Sequence, residues 1–191
     1  MLSTPKTPHD ILTESNVHCT TSSARPIPQR RNSAPVIRLQ VPRSWDLIPP
    51  GLREVLTNLL SARAPWPGYI FGNTGVGKTC AGLCVFDHYR SMMVDASELA
   101  DICWVPQDES YLWRHAQEEP LVIVDEVGAS KNDREYQGLK RLADMRVNKP
   151  ILWLSNLSPQ GLREAFDERL FSRLCCGTVV EVQGPDQRFS R

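Results

Sequence analysis

The sequence predicts an α/β domain in which a parallel sheet carries helices on both faces. The first observation behind this prediction is that short apolar runs with the length of strands alternate with longer segments of helical periodicity. The second is a glycine-rich loop, residues 72–79, that directly follows one apolar run and directly precedes a helical segment.

The chain divides into a tail, residues 1–45, and a folded domain, residues 46–191. The tail is rich in Pro, Ser and Thr and shows neither strand nor helix periodicity, so we expect it to be disordered or to become ordered only on a partner. Residues 1–50 carry six Lys or Arg against three acidic residues, whereas the remainder carries 16 against 19. The tail is interpreted as an arm that docks on nucleic acid or protein, or else as a solvated appendage. A mitochondrial transit segment fits less well because it would contain Asp10 and Glu14.

The domain begins with a helix whose apolar residues recur at helical spacing and which ends at the sequence PWPG, residues 65–68. The apolar residues of this helix are Leu52, Val55, Leu56, Leu59 and Leu60. Five strands are predicted after it, at residues 69–71, 92–94, 121–124, 151–154 and 178–182. Helices are predicted between these strands, over residues 78–90, 97–104, 108–117, 133–147 and 158–176.

Composition excludes several classes of protein. The chain has 191 residues, 41% of them hydrophobic, and no formal net charge, which is typical of a globular protein. No run approaches the roughly 18 apolar residues of a membrane span, and no secretory signal is visible, so we expect a cytoplasmic protein without a membrane partner. The six cysteines form no Cys-x-x-Cys pair and no histidine stands at ligand spacing from one, so reduced thiols are expected. They are Cys19, Cys80, Cys84, Cys103, Cys175 and Cys176.

The loop "GNTGVGKT" satisfies the pattern G-x-x-x-x-G-K-[ST], known as Walker A. Its glycines allow successive backbone N–H groups to converge on one anion, and the N-terminus of the following helix adds its positive end. Lys78 would reach the β- and γ-phosphates of ATP, and the Thr79 hydroxyl would coordinate Mg²⁺. The predicted ATP-binding residues are Gly72, Asn73, Thr74, Gly75, Val76, Gly77, Lys78 and Thr79.

Two further strands end in polar residues. The run "LVIVDEVG" delivers two carboxylates to the end of a buried strand, where ligands bind in open α/β sheets. Asp125 would hold Mg²⁺ through water, and Glu126 would orient the attacking water, as in a Walker B motif. The run "ILWLSN" ends in Asn156, whose amide would contact the γ-phosphate and the same water.

Two arginines follow on one helix face. Arg169 and Arg173 lie four residues apart in "FDERLFSRL", so they share a face that either is solvated or meets a neighbouring subunit. In the second case an arginine would reach the γ-phosphate bound by that neighbour.

Taken in order, "GNTGVGKT", "LVIVDEVG", "ILWLSN" and "ERLFSRL" resemble the motifs of an AAA+ ATPase. Within that superfamily the segment "SNLSPQGLREAFDERLFSRL", with "GPDQR" after the next strand, is similar to helicase loaders of the DnaC type and transposition-helper ATPases of the IstB type. The resemblance covers about residues 52–188. It implies a P-loop three-layer sandwich with strand order 5-1-4-3-2, in which Asn156 lies between the two other catalytic strands. It also implies that Arg173 acts in trans as an arginine finger within a homo-oligomer and that Arg169 is a second arginine of the same box.

Two departures from most AAA+ proteins are visible. The chain stops soon after its fifth strand, so no C-terminal helical lid is expected, as in loaders of this type. The segment between the second and third strands is short, and it is where such loaders often carry a helix that touches single-stranded DNA. Basic residues after the acidic pair are an alternative DNA surface or simply an exposed helix face: Lys131, Arg134, Lys140, Arg141 and Arg146.

The function predicted from these features is that of an ATP-hydrolysing DNA replication accessory of the helicase-loader type. It would bind a replicative helicase through its tail and assemble on single-stranded DNA. The alternatives are an IstB-like transposition helper on duplex DNA and a nucleotide-gated adaptor with incidental hydrolysis. A small-molecule P-loop kinase fits less well because no arginine-rich lid segment lies between the strands.

Overall fold

The computed structural model of this chain describes residues 25–28 and 44–186. Five parallel strands form one sheet in the order β2-β3-β4-β1-β5. The strands are β1 (Gly68–Phe71), β2 (Ser91–Asp95), β3 (Leu121–Val127), β4 (Ile151–Ser155) and β5 (Thr178–Glu181). Read from the opposite edge, the order is 5-1-4-3-2, which confirms the predicted sheet and its topology.

Helices connect these strands. They are α1 (Pro50–Leu60), α2 (Lys78–His88), α3 (Ala96–Asp101), α4 (Tyr111–Glu118), α5 (Asp133–Met145), α6 (Pro159–Ala165) and α7 (Glu168–Cys175), and a 3-10 helix covers Trp45–Leu47. None of the helices in the described part of the chain is long and apolar enough to cross a membrane.

The single helix predicted over residues 158–176 is wrong, because the structure has two helices there. Phe166 leaves helical geometry with φ −125° and ψ −107°. Asp167 then caps the second helix, since its Oδ1 accepts a hydrogen bond from the Leu170 backbone N–H at 2.7 Å. The break separates α7, which carries both arginines, from α6.

The core lies on both faces of the sheet. Alternate residues of β4 show this arrangement, because Leu152 and Leu154 pack in one cluster with α1 and α2, whereas Ile151 and Trp153 pack in the other with α3, α4, α5 and α7. All four are buried. Each buried side chain of this size contributes about 1.5–3 kcal/mol of hydrophobic stabilisation. The strands are therefore held from both sides, and their carboxyl ends are fixed at one edge.

Two residues of the predicted tail, Ile27 and Pro28, bond to the domain. Ile27 is buried beside α1, and its backbone N–H donates to the Leu60 carbonyl oxygen at 2.9 Å. The Arg90 backbone N–H donates to the Pro28 carbonyl oxygen at the same distance, 2.9 Å. Apart from residues 25–28, the tail up to residue 43 falls outside the described residues, and the division at residue 45 stays a prediction.

Candidate nucleotide-binding site

The strand register brings the three predicted motifs to one edge of the sheet. Ser155, the last residue of β4, is paired with Phe71 of β1 on one side and with Val127 of β3 on the other. The loop that follows Phe71, the acidic pair of β3 and Asn156 therefore start from adjacent strand ends. This is the carboxyl edge, where ligands bind in open parallel sheets.

The glycine-rich loop turns directly into α2. Gly77 has φ 97° and precedes the first residue of the helix. Because this left-handed conformation is costly for residues with a side chain, glycine is the residue that suits the turn. The first N–H groups of α2 have no partner within the helix, and they face the loop together with the positive end of the helix. This arrangement favours an anion at the loop.

Lys78 is the buried cation of the loop. Its side chain is only 7% exposed, and its Nζ donates hydrogen bonds to the carbonyl oxygens of Gly72 at 2.7 Å and Asn73 at 2.8 Å. The ammonium is thus folded back under the loop. It can exchange these carbonyl oxygens for phosphate oxygens without leaving the loop.

The Thr79 hydroxyl and the Asp125 carboxylate are joined by a hydrogen bond across the site. Burial raises the pKa of the Asp125 carboxyl, while hydrogen bonds from the Thr79 hydroxyl and the Glu126 backbone N–H act in the opposite direction. The second of these bonds is 2.9 Å long at Asp125 Oδ1. Hydroxyl and carboxylate oxygens are ligands that Mg²⁺ prefers, and Mg²⁺ keeps several further positions for phosphates and water. The residues present therefore fit a Mg²⁺–nucleotide complex.

Glu126 differs sharply from its neighbour. It is exposed, has φ 56° and lies at an irregularity in the pairing of β3 with β4, between Val124 and Val127. Positive φ is uncommon for a residue other than glycine and often marks functional positions. The irregularity separates the two carboxylates, so that Asp125 is buried at Thr79 while Glu126 is open to solvent.

Ser155 fixes the position from which Asn156 projects. The buried Ser155 Oγ donates to the Val127 carbonyl oxygen at 2.6 Å and accepts from the Leu157 backbone N–H at 2.9 Å. These bonds tie the end of β4 to the end of β3. Asn156 is exposed and directly follows this link, beside the acidic pair.

Sequence reasoning missed Glu135, which organises the loop after the acidic pair. Its carboxylate is only 1% exposed and accepts backbone N–H bonds from Gly128 at 2.7 Å, Ser130 at 2.9 Å and Lys131 at 2.7 Å. A signal was present, because Asn132 caps α5 by accepting from the Glu135 N–H, and Asn-x-x-Glu resembles a capping box. The glutamate reaches further back along the chain than that box requires.

The two arginines of α7 differ in their contacts and exposure. Arg173 is half-exposed, and its Nε forms an ion pair with Asp144 Oδ1 of α5 at 2.6 Å. Arg169 is exposed, and its carbonyl oxygen accepts from Arg173 Nη1 at 3.4 Å. Arg173 therefore packs against α5 of its own subunit, and part of its side chain meets solvent.

The basic cluster predicted for DNA is divided by the structure. Arg146 is 1% exposed and donates hydrogen bonds to four backbone carbonyl oxygens, so it cannot act on phosphates. Arg141 donates to the carbonyl oxygens of Cys103 and Val105 and lies over the ring of Trp113. Lys131 and Arg134 are exposed and Lys140 is half-exposed. These three remain available to a partner.

Comparison by sequence finds nothing, since no family model and no curated protein matches this chain. Comparison by structure finds replication proteins. The structure of AMPPCP-bound DnaA from Aquifex aeolicus has 22% sequence identity and a TM-score of 0.59, and the match covers 72% of this chain and 48% of DnaA. The crystal structure of DnaI has 20% identity and a TM-score of 0.54, with 80% and 88% covered.

A third solved structure is a putative primosome component from Streptococcus pyogenes, with 17% identity, a TM-score of 0.53, and 78% and 93% covered. This chain spans about half the length of the DnaA chain that it matches. At these identities the likeness establishes the fold alone, and that fold is the α/β architecture with the five-stranded parallel sheet that the sequence predicted.

Proposed function

We propose that this protein binds and hydrolyses ATP as a DNA replication accessory of the helicase-loader type, working as a homo-oligomer on single-stranded DNA and a replicative helicase. The observation that carries the proposal is the arrangement of Lys78, the Thr79–Asp125 pair and Glu126 at one edge of an AAA+ sheet. The fold shared with DnaI and a primosome component supports replication as the process.

The loop would bind the phosphates, and Thr79 together with Asp125 would bind Mg²⁺. Lys78 would exchange the carbonyl oxygens of Gly72 and Asn73 for the β- and γ-phosphate oxygens, and the N–H groups at the start of α2 would bind the same phosphates. Mg²⁺, when bound, supplies neutralisation of the charge that develops on the phosphates. Thr79 and Asp125 would hold it, the latter through water.

Two residues would act on the attacking water. Glu126 is the exposed carboxylate beside the buried Asp125, so it would orient the attacking water and accept a proton from it. Asn156, on the adjacent strand end, would hold the same water and the γ-phosphate through its amide. Both roles depend on Ser155, which links the ends of β3 and β4.

Completion of the site would require a second copy of the chain. Arg173 and Arg169 lie on α7, where Arg173 pairs with Asp144 of α5 and meets solvent. An arginine in this position would stabilise the transition state in a neighbouring subunit. This supports assembly as a homo-oligomer in which each ATP lies between two subunits.

Partners are proposed from charge and exposure. The basic tail would bind the helicase, and Lys131, Arg134 and Lys140 would contact DNA phosphates. An IstB-like transposition helper is the second candidate and shares the same motifs. It differs in acting on duplex DNA and a transposase. A nucleotide-gated adaptor is the third, in which hydrolysis is incidental.

The test is ATP turnover by the full chain in three conditions: without DNA, with single-stranded DNA and with duplex DNA. A loader should hydrolyse ATP and respond most to single-stranded DNA, and capture of a replicative helicase should fail when residues 1–40 are deleted. Preferential stimulation by duplex DNA would favour the transposition helper. Binding without turnover in any condition would favour the adaptor, and absence of ATP binding would refute all three.

A further inference from the structure

The chain that leaves β5 passes directly over the nucleotide loop. The Val182 backbone N–H donates to the Phe71 carbonyl oxygen at 2.7 Å, which extends the pairing of β5 with β1 by one residue. Val182 is buried, whereas Gln183, Gly184 and Pro185 are exposed. This short connection carries the next side chain, Asp186, back to the loop.

The Asp186 carboxylate lies against Gly75, the middle glycine of the loop. Both of its oxygens and its carboxyl carbon occupy the space that a Cβ on Gly75 would take, and the more distant oxygen is 2.7 Å from that position. Gly75 also has φ 83°, which disfavours any residue with a side chain. The absence of a side chain at Gly75 therefore gives the Asp186 carboxylate room to contact the loop backbone.

A carboxylate at this place opposes the ligand that the loop is built to bind. ATP carries about four negative charges near neutral pH, and charges a few ångströms apart near a protein surface interact by several kcal/mol before salt screening. Screening in physiological salt reduces this strongly but does not remove it at contact distance. Lys78 and the N-terminus of α2 would attract the phosphates, and Asp186, beside Gly75 of the same loop, would repel them.

The connection that carries Asp186 lies on the surface. Gly184 has no atom within 4 Å of the position of an added Cβ, and Gln183 to Pro185 are exposed. Moving such a segment exposes little buried apolar surface, so the main contacts that must break are those of Asp186 itself. Val182, which is paired and buried, is the point from which the displacement begins.

We infer that Asp186 is an autoinhibitory contact that weakens the binding of polyphosphate at this loop, and that residues 183–186 leave Gly75 when nucleotide binds. This inference rests on the proposed nucleotide-binding function. It goes beyond that function, because nucleotide binding requires neither a particular affinity nor a movement of the segment after β5. Asp186 therefore lowers the affinity of the loop for nucleotide and favours its release.

The experiment measures the affinity of the full chain for Mg²⁺–ATP and for Mg²⁺–pyrophosphate, by calorimetry at low and high ionic strength. Asp186→Asn should bind both ligands about three- to tenfold more tightly than the wild type, and the gain should shrink in high salt because it is electrostatic. Asp186→Ala should behave alike. Pyrophosphate has no ribose, so a gain for both ligands assigns the effect to the phosphates.

Glu118→Gln is the matched control. It removes an exposed carboxylate shortly before β3 begins, near the amino ends of the strands and not their carboxyl ends. It should leave both affinities unchanged. Equal affinities of Asp186→Asn and the wild type would overturn the inference. So would weaker ATP binding with unchanged pyrophosphate binding, because Asp186 would then contact the ribose. Absence of binding by every variant and the wild type would instead refute the proposed function itself.

Discussion

The carboxylate of Glu135, in the first turn of α5, accepts a hydrogen bond at 2.7 Å from the backbone N–H of Gly128, which follows the acidic pair. Two further N–H groups of the same loop, those of Ser130 and Lys131, donate to this carboxylate. The loop after Glu126 and the start of α5 are therefore one unit. This buried carboxylate therefore holds the loop at the end of β3 in place.

Glu135→Ala should destabilise the domain, because three buried or half-buried N–H groups lose their acceptor. We expect a loss of at least about 2 kcal/mol, since each unsatisfied buried donor costs about 1–3 kcal/mol. Urea unfolding measures it. Asp133→Ala, in the same exposed turn of α5, is the control and should cost under about 1 kcal/mol. Similar losses for both variants would show that the bonds to Glu135 contribute little.

Lys78→Ala should abolish nucleotide binding and leave the fold intact. The ammonium is the buried cation of the loop, and its removal leaves the carbonyl oxygens of Gly72 and Asn73 facing the phosphates. ATP affinity should fall by about a hundredfold or more, the equivalent of one or two charge-assisted hydrogen bonds. Lys140→Ala, a basic residue of α5, should bind ATP normally. ATP affinity preserved in Lys78→Ala would contradict the site assignment.

Glu126→Gln should bind ATP normally and hydrolyse it slowly. The substitution keeps the size of the exposed side chain and removes only its capacity to accept a proton, which is worth about 10²–10⁴ in rate. Single-turnover hydrolysis and equilibrium binding separate the two effects. We expect the variant to accumulate in an ATP-bound assembled state. Normal turnover would mean that another group orients the water, and Asn156 would then be the next residue to replace.

The sequence predicted the parts of this site that depend on local spacing. The loop at residues 72–79 and the pair Asp125–Glu126 are short motifs that directly follow buried strands, so their position at the sheet edge follows from the strand order. The roles of Glu135 and Asp186 depend on contacts with residues distant in the chain or across a turn. Periodicity and spacing carry no signal for the contact of Asp186, and for Glu135 they indicate only the capping box at the start of α5.

Basic residues show the same distinction. Arg146 donates to the carbonyl oxygen of Pro150, four residues away in the sequence. It also donates to the carbonyl oxygen of Ala116, 30 residues away, at 2.5 Å. Burial lowers the pKa of the Arg146 guanidinium to about 10. A side chain that looks like part of a DNA surface in the sequence is therefore a structural link between α4, β4 and α5.

Replacing Arg146 should consequently lower stability, whereas replacing Lys140 should weaken DNA binding. Arg146→Ala leaves four carbonyl oxygens without their donor and should cost about 3 kcal/mol or more, measured by urea unfolding. Lys140→Ala should leave stability within about 0.5 kcal/mol and weaken DNA binding in a salt-dependent way, with a lower salt slope. Unchanged DNA affinity after replacement of Lys131, Arg134 and Lys140 together would exclude this face as the DNA surface.

Arg173→Ala tests whether the site is shared between subunits. Arg173 is held by Asp144 at 2.6 Å on the side of α7 that faces α5, and this ion pair must open before the guanidinium reaches a neighbouring site. Arg173→Ala should bind ATP normally and hydrolyse it about 10³-fold more slowly, as other arginine-finger variants do. Asp144→Asn is the companion variant. It removes the internal partner and should retain turnover, because the arginine is then free to cross.

Mixing two inactive variants gives the decisive measurement. Lys78→Ala subunits still offer Arg173, and Arg173→Ala subunits still hold ATP, so turnover should return where one of each meets. The recovered activity should depend on the mixing ratio and reach its maximum near equal amounts. If no ratio restores turnover under conditions in which the wild type oligomerises, Arg173 acts within its own subunit or only in folding. Urea unfolding separates those two outcomes, because a folding role shared with Asp144 would make Asp144→Asn and Arg173→Ala equally unstable.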